Sequence, residues 1–337
     1  MKKFWVILSL VLVGLVVCFI SEIRYGLSLA QGQLNIIFNA KKIEKVLVEN
    51  KSLTHEQRRK LLLIKDVKAF AVAELGLKDN GNYDNYFDQK GKPLLTVLTA
   101  CEPYSFKEKT WHFPFLGDLS YKGFFEYADA KEEGIKLKAK GLDVGLGKVS
   151  GWSTLGWLKD PVLSSMLNKP DGQLGALIIH EMLHGTVYLG SDVNFSENLA
   201  DFVGREGAKF YFLKKNLPND LAEFENEMTA ELRMNSYFLK AKDKLEKGYK
   251  EYSGDTLKLK KFKTETIKKT YQGIFFMTLP PKIKSKYIRS AKYLYFEGND
   301  YLMGYNRYGK LQDKFEVEFK TRFNSDIRKM IEFYKEH

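Results

Sequence analysis

Two imidazoles and a carboxylate stand together in His180-Glu181-Met182-Leu183-His184, inside a run whose other positions are apolar. Histidines at i and i+4 project from one face of a helix, one turn apart, so both rings can reach a single Zn²⁺ at about 2.0 to 2.1 Å. Glu181 between them is not placed as a ligand, but it can reach the water that such an ion would activate. The bland alternative is two stacked core histidines, and the spacing by itself does not separate the two. A catalytic zinc needs a third protein ligand and an open fourth position. Phe195-Ser-Glu-Asn-Leu-Ala-Asp201 offers one in Glu197, with Asp201 a helical turn further on the same face, where it can accept the free ring N–H of a zinc-bound histidine. Alone, Glu197 and Asp201 would read as an exposed acidic helix face; beside the two-histidine motif they read as ligand and support. Asp192 and Glu206 are the rival third ligands.

These residues need two helices folded back on each other. Pro170-Asp171-Gly172 predicts a helix start with Asp171 as N-cap, ahead of Leu174, Leu177, Ile178 and Leu183. The segment from Leu189 to Asn194, with Gly190 and Ser191 as turn residues, is long enough to reverse the chain. Upstream, Ile43 to Leu77 has helical periodicity, with Thr54-His55-Glu56-Gln57 opening its main apolar stretch. Short β-rich segments follow at Leu95–Ala100, Trp111–Phe115, Tyr121–Phe125, Asp143–Val149 and Trp152–Trp157, with an amphipathic helix over Glu126–Lys140. Beyond Leu217 the chain reads as helical and Lys-rich, broken at Ser253-Gly254 and Leu279-Pro280-Pro281. The expected fold is α+β: an N-terminal anchor over residues 1–22, then an exported unit over 23–337. Within that unit, 23–215 carries a small mixed sheet and the zinc-helix pair, and 216–337 is mostly helical.

The chain has 337 residues, 54 Lys and Arg against 42 Asp and Glu, and a net charge of +12. No basic block is dense enough to read as a nucleic-acid arm, and Lys258 to Lys292 reads as a solvated helical face. Of two cysteines, Cys18 lies in the N-terminal apolar run, so Cys101 alone cannot support a disulfide framework or a cysteine zinc site. Lys2 and Lys3 precede the uncharged run Phe4 to Ile20, which at 1.5 Å per residue spans about 26 Å, the short end of a membrane crossing. Its bulky end, Val16-Val17-Cys18-Phe19-Ile20, favours an uncleaved membrane anchor over a cleaved signal or a lipid-modified Cys18. The charge order puts the body outside the cytoplasm, at the cell membrane or in a periplasm.

The run Gly151-Trp-Ser-Thr-Leu-Gly-Trp-Leu-Lys-Asp-Pro-Val-Leu163, the His180 to His184 motif and Asp192 with Phe195 to Asp201 resemble a bacterial family of predicted zinc aminopeptidases in the thermolysin-like gluzincin clan. The likeness extends through Tyr25 to Gln33, Glu74-Leu-Gly-Leu-Lys-Asp-Asn-Gly-Asn-Tyr83, Tyr121 to Phe125 and Asn299 to Tyr308. It implies one zinc per chain on His180, His184 and Glu197, Glu181 as general base, a peptide or protein substrate, and Tyr308 or Tyr188 as a donor to the oxyanion. Just upstream of the two-histidine helix, Gly151 to Trp157, with Gly156 and Trp157, reads either as an edge strand against which a peptide lies or as an ordinary core strand. Two positions depart from the family's pattern. His112 and Asp118 stand where a cysteine pair is expected, which makes His112 a further candidate for substrate contact, and Ser196 replaces an Asn. An aminopeptidase also needs a carboxylate for the substrate's α-ammonium. The usual Gly-x-Met-Glu-Asn type segment is missing, which leaves Asp160, Glu206 or the helical half, and keeps zinc endopeptidase as the rival. A non-catalytic envelope-binding protein with a structural zinc is the competing class.

Overall fold

The computed structural model describes residues 24–113, 117–148, 159–187, 193–309 and 311–336, without the side chains of Val193, Phe296 and residues 306–309. Phe4 to Ile20, Cys18, the strand Trp152–Trp157 with Gly156 and Trp157, Tyr188, Asp192 and the Tyr308 side chain therefore lie outside the described residues. The chain is a mixed α+β protein, 66% helical, and its C-terminal half is mostly helix. No helix among the described residues is long and apolar enough to cross a membrane.

Helix α1 spans residues 24–39, followed by α2 (Ile43–Glu49) and α3 (His55–Leu75). The continuous helical stretch expected from Ile43 to Leu77 is thus two helices. Asn50 Oδ1 accepts the Ser52 backbone N–H at 3.0 Å and diverts the chain, and Thr54 then opens α3 with a capping box shared with Gln57. A left-handed Gly76 closes α3.

The expected single sheet is three small ones. β1 (Lys41–Lys42) pairs antiparallel with β2 (Asn85–Phe87), which pairs parallel with β8 (Val162–Leu163). β3 (Thr96–Cys101) is the centre of a second sheet, antiparallel to β6 (Lys122–Phe124) and β7 (Asp143–Lys148), with α4 (Tyr127–Ala139) between those two in sequence. β4 (Trp111–Phe113) and β5 (Gly117–Leu119) form a separate hairpin. Strands of two to six residues cannot present one continuous apolar face, so each group is covered locally instead. Leu98 of β3 and Val144 of β7 bury against Ala130 and Leu137 of α4.

The largest core surrounds α5 (Asp171–His184) and α6 (Val193–Lys214). Leu61, Ile64 and Val67 of α3 meet Leu174, Ile178 and Ile179 of α5, while Phe202 and Val203 of α6 meet Phe315 and Phe319 of α12 (Gln312–Thr321). Met330 and Ile331 of α13 (Ile327–Glu336) close the same core, so the end of the chain returns to the beginning. A second core joins α7 (Pro218–Glu251), α8 (Thr256–Ile274), α9 (Pro281–Ser290), α10 (Tyr293–Glu297) and α11 (Asn299–Gly309) around Met234, Phe238, Leu245 and Leu294. Most lysines of the Lys258 to Lys292 run face solvent, though Lys263 turns inward to Asp143 at 2.5 Å.

Candidate metal centre

Helix α5 begins one residue earlier than its N-cap signal suggests. Pro170 is the N-cap and Asp171 the first helical residue, because Arg59 and Lys60 of α3 draw the Asp171 carboxylate away to 2.5 Å contacts. The acid still sits in the first turn, where it complements the helix dipole. Antiparallel to α5, α6 comes unusually close. A Cβ on Gly204 would lie 2.6 Å from the Ala176 carbonyl oxygen and 3.2 Å from the His180 Cβ, so only a glycine permits this approach. Ala200, fully buried, holds the same face one turn earlier. This contact brings the face bearing Glu197 and Asp201 to within reach of the histidines.

His180 Nε2 and His184 Nε2 lie 3.2 Å apart. Glu197 faces both, Oε2 at 3.4 Å from His180 and Oε1 at 3.5 Å from His184. This trio is the metal-capable group found among the described residues, with one donor atom from each lying within 4.8 Å of the others. The remaining ring nitrogens are also held. His180 Nδ1 contacts Asp201 Oδ1 at 2.9 Å, and Ser196 Oγ lies 3.4 Å from His184 Nδ1. Ser196, which the sequence placed only as a departure from a family pattern, thus occupies on His184 the position that Asp201 takes on His180.

The electrostatics are asymmetric. Burial disfavours charge on His180, yet the contacts to Asp201 and Glu197 outweigh it and hold its pKa well above the ordinary value. Burial, then the neighbouring His180, pushes His184 down to about 4. Burial also raises Glu181, helped by the charges of Glu197, Asp160 and Asp201 and opposed by His180.

Surrounding segments fix the two helices in place. The Lys78 N–H donates to Thr186 Oγ1 at 3.0 Å, just past the end of α5, and the Thr186 hydroxyl donates to the Met182 carbonyl. The Tyr83 N–H donates to the Asp160 carbonyl at 2.7 Å, and the Asp160 N–H donates to Asn82 Oδ1 at 3.0 Å. On α6, Asn198 Oδ1 accepts the Leu311 N–H, and Arg205 donates to Gln312 Oε1, so the C-terminal helices brace the centre. Glu206 is not part of it: Lys209 holds its carboxylate at 2.9 Å and Arg205 at 3.5 Å, which leaves it poorly placed as a rival ligand or an ammonium site. Asp160 is buried, and its charge acts on both Glu181 and Tyr83. His112 projects from the exposed β4–β5 hairpin and pairs with Asp118. Tyr83 escaped the sequence reading: it lay within a motif of the resemblance, but a buried, unpaired hydroxyl has no signature in a string of residues.

No curated protein and no solved structure matches the chain. A family profile described as "Putative aminopeptidase" matches residues 24–337, a range that contains every described residue. The chain belongs to that family.

Proposed function

We propose that this chain is a zinc-dependent peptidase of the gluzincin kind, acting as an aminopeptidase. The observation that carries the reading is the spacing of the donor atoms. The two Nε2 atoms of His180 and His184 lie 3.2 Å apart, and the Glu197 carboxylate meets the first through Oε2 at 3.4 Å and the second through Oε1 at 3.5 Å, spacings close to the edge of a small tetrahedron. Arms of about 2.0 to 2.1 Å to a central zinc give an edge of about 3.3 Å. Two neutral imidazoles and one carboxylate also form the donor set of catalytic zinc sites with an open fourth position. His180 and His184, through Nε2, and Glu197, through its carboxylate, would hold the ion. Bound there, zinc supplies a Lewis acid that polarises a scissile carbonyl and acidifies water.

The chain's own residues do the rest. Asp201 accepts the His180 Nδ1 proton, which directs the Nε2 lone pair inward and keeps the ring from turning. Ser196 orients His184 from the other side. Glu181, beside His180 on α5, is buried enough that its carboxyl lies above the ordinary range, which suits a group that takes a proton from attacking water and passes it to the leaving nitrogen. The apolar run Phe4 to Ile20 would tether this body outside the cytoplasm, so protease added to spheroplasts would remove it.

The test is Glu181→Gln in protein lacking residues 1–22. Wild type should carry one zinc and hydrolyse a free-amine dipeptide amide. The variant should keep the zinc and lose turnover by about a thousandfold or more. Zinc-loaded wild type without turnover would instead favour a structural zinc. The N-acetylated dipeptide amide distinguishes the two modes of cleavage. An aminopeptidase loses nearly all turnover on it, and equal rates on both substrates would assign the endopeptidase reading.

A further inference from the structure

The chain's positive charge is concentrated on elements that the candidate metal centre does not use. Residues 256–296 hold eleven Lys and Arg against one acid, Glu265, which makes +10 of the chain's +12. Three of these lysines are engaged by carboxylates: Lys258 by Asp255, Lys263 by Asp143 and Lys286 by Glu231. Lys260, Lys261, Lys268 and Lys269 of α8 are exposed, as are Lys282 of α9 and Lys292 just before α10. Helical spacing sets part of this charge in a row. Leu257, Lys261, Thr264, Lys268 and Phe275 follow one another at intervals of four, three, four and seven residues, so they lie along one side of α8, and all five are exposed. Leu259, Ile267 and Ile274 turn away from that row into the second core.

The row ends in aromatic rings. Phe275 caps α8 with 46% of its surface exposed, Phe276 follows it at 88%, and Leu257 at the other end of the helix is 82% exposed. The rings continue onto α10: Tyr271 stands 5.4 Å from Phe275 and 5.2 Å from Tyr295, which is itself exposed. Single exposed apolar residues are ordinary on any protein. Rings in edge contact at the end of a row of lysines are not of that kind. Burying such rings is favourable only in an apolar medium, and the lysines require negative charge beside it. A bilayer that contains anionic lipid supplies both, since aromatic side chains settle at headgroup depth while lysines meet the phosphates. A soluble polyphosphate or acidic polysaccharide would satisfy the lysines and leave Phe276 in water.

We propose that the exposed side of α8, with the rings of Phe275, Phe276 and Tyr295, is a docking surface for an anionic lipid bilayer. The helix, 19 residues and about 28 Å long, lies in the plane of the headgroups, with Phe275 and Phe276 entering the upper acyl region and Lys261 and Lys268 on lipid phosphates. This role is separate from the peptidase reading, because none of these residues belongs to the metal-capable group. Together with the tether proposed for Phe4 to Ile20, a second contact would fix the orientation of the body over the bilayer.

The test uses the full chain with vesicles of phosphatidylcholine alone or with about 30% phosphatidylglycerol. A membrane-impermeant amine-acylating reagent reports each lysine by mass spectrometry, and the exposed Lys329 of α13 serves as the internal reference. On anionic vesicles Lys261 and Lys268 should be acylated about fivefold more slowly than on neutral ones, and about 1 M NaCl, where the screening length falls to about 3 Å, should restore most of the rate. Phe276→Ser should lose most of the protection with no change in thermal midpoint, since that side chain is exposed. Equal acylation on the two lipids would overturn the proposal, whether the chain stays with the vesicles or leaves them. Protection that survives Phe276→Ser undiminished would overturn it as well, because it would mark a face that binds polyanions through charge alone.

Discussion

Two histidine–aspartate pairs in this molecule have the same geometry and different surroundings. His180 Nδ1 lies 2.9 Å from Asp201 Oδ1, and His112 Nδ1 lies 2.9 Å from Asp118 Oδ1. The first pair joins two long helices, with side chains 12% and 35% exposed, and the far nitrogen of its histidine faces His184 and Glu197. The second sits across a hairpin of three-residue strands, with side chains 77% and 65% exposed. A 2.9 Å contact is therefore not what makes a site. In the helix pair, the aspartate matters because it aims a ring whose other nitrogen has somewhere to point. On the hairpin, the same bond is one cross-strand contact among water-exposed groups, of the kind worth less than about 1 kcal/mol.

The largest effect that would break the comparison is loss of the metal itself. His180→Ala or Glu197→Ala should abolish stoichiometric zinc in protein purified without chelator, because two donors do not retain the ion against dilution as three do. Elemental analysis reads the result. Full occupancy in Glu197→Ala would send the search for a third ligand outside the described residues, to Asp192, since Glu206 is already engaged by Lys209 and Arg205.

A smaller effect sharpens it. Asp201→Asn keeps the size of the side chain but replaces a carboxylate acceptor with an amide, and zinc affinity measured by chelator competition should fall about 10- to 100-fold. The matching change on the hairpin, Asp118→Asn, should leave zinc affinity where it was. Equal effects at the two positions would mean that burial and convergence contribute nothing, and that the centre is no more organised than the hairpin.

How much of this was legible in the sequence follows from the range of each signal. The i, i+4 spacing of His180 and His184 and the one-turn spacing of Glu197 and Asp201 are local, so the donors could be named before any helix was placed. Which histidine Asp201 would serve was not local: it depends on how closely α6 approaches α5, and Gly204 sets that distance through a contact with the Ala176 carbonyl on another helix. Ser196 reaches His184 for the same reason. Asp171 had the residue type of an N-cap, but Arg59 and Lys60, more than a hundred positions away in the chain, took its carboxylate. The division of the Ile43 to Leu77 stretch was locally encoded in Asn50 and Thr54, and the apolar periodicity on either side masked it. Tyr83 is the extreme case, because its left-handed backbone is imposed by Asp160 and its hydroxyl is notable only for what fails to meet it.

The smallest expected effect lies on the hairpin, and it asks whether the exposed pair is replaceable. His112 and Asp118 are direct cross-strand partners in the β4–β5 register, the two positions where the resembled family suggests a cysteine pair. Directly opposed residues on antiparallel strands bring their Cβ atoms about 4.5 to 5.5 Å apart, close to what a disulfide spans once the strands adjust slightly. His112→Cys with Asp118→Cys should therefore oxidise to an internal disulfide, visible as a loss of two free thiols by mass spectrometry after alkylation. Closing so short a loop should raise stability by about 2 kcal/mol at most, and less if the hairpin strains to accommodate it. Zinc content and turnover should stay within error of wild type, because this hairpin supplies no member of the metal-capable group. A loss of turnover with zinc retained would instead make His112 a substrate contact, and the two pairs would then differ in what they bind rather than in whether they bind anything.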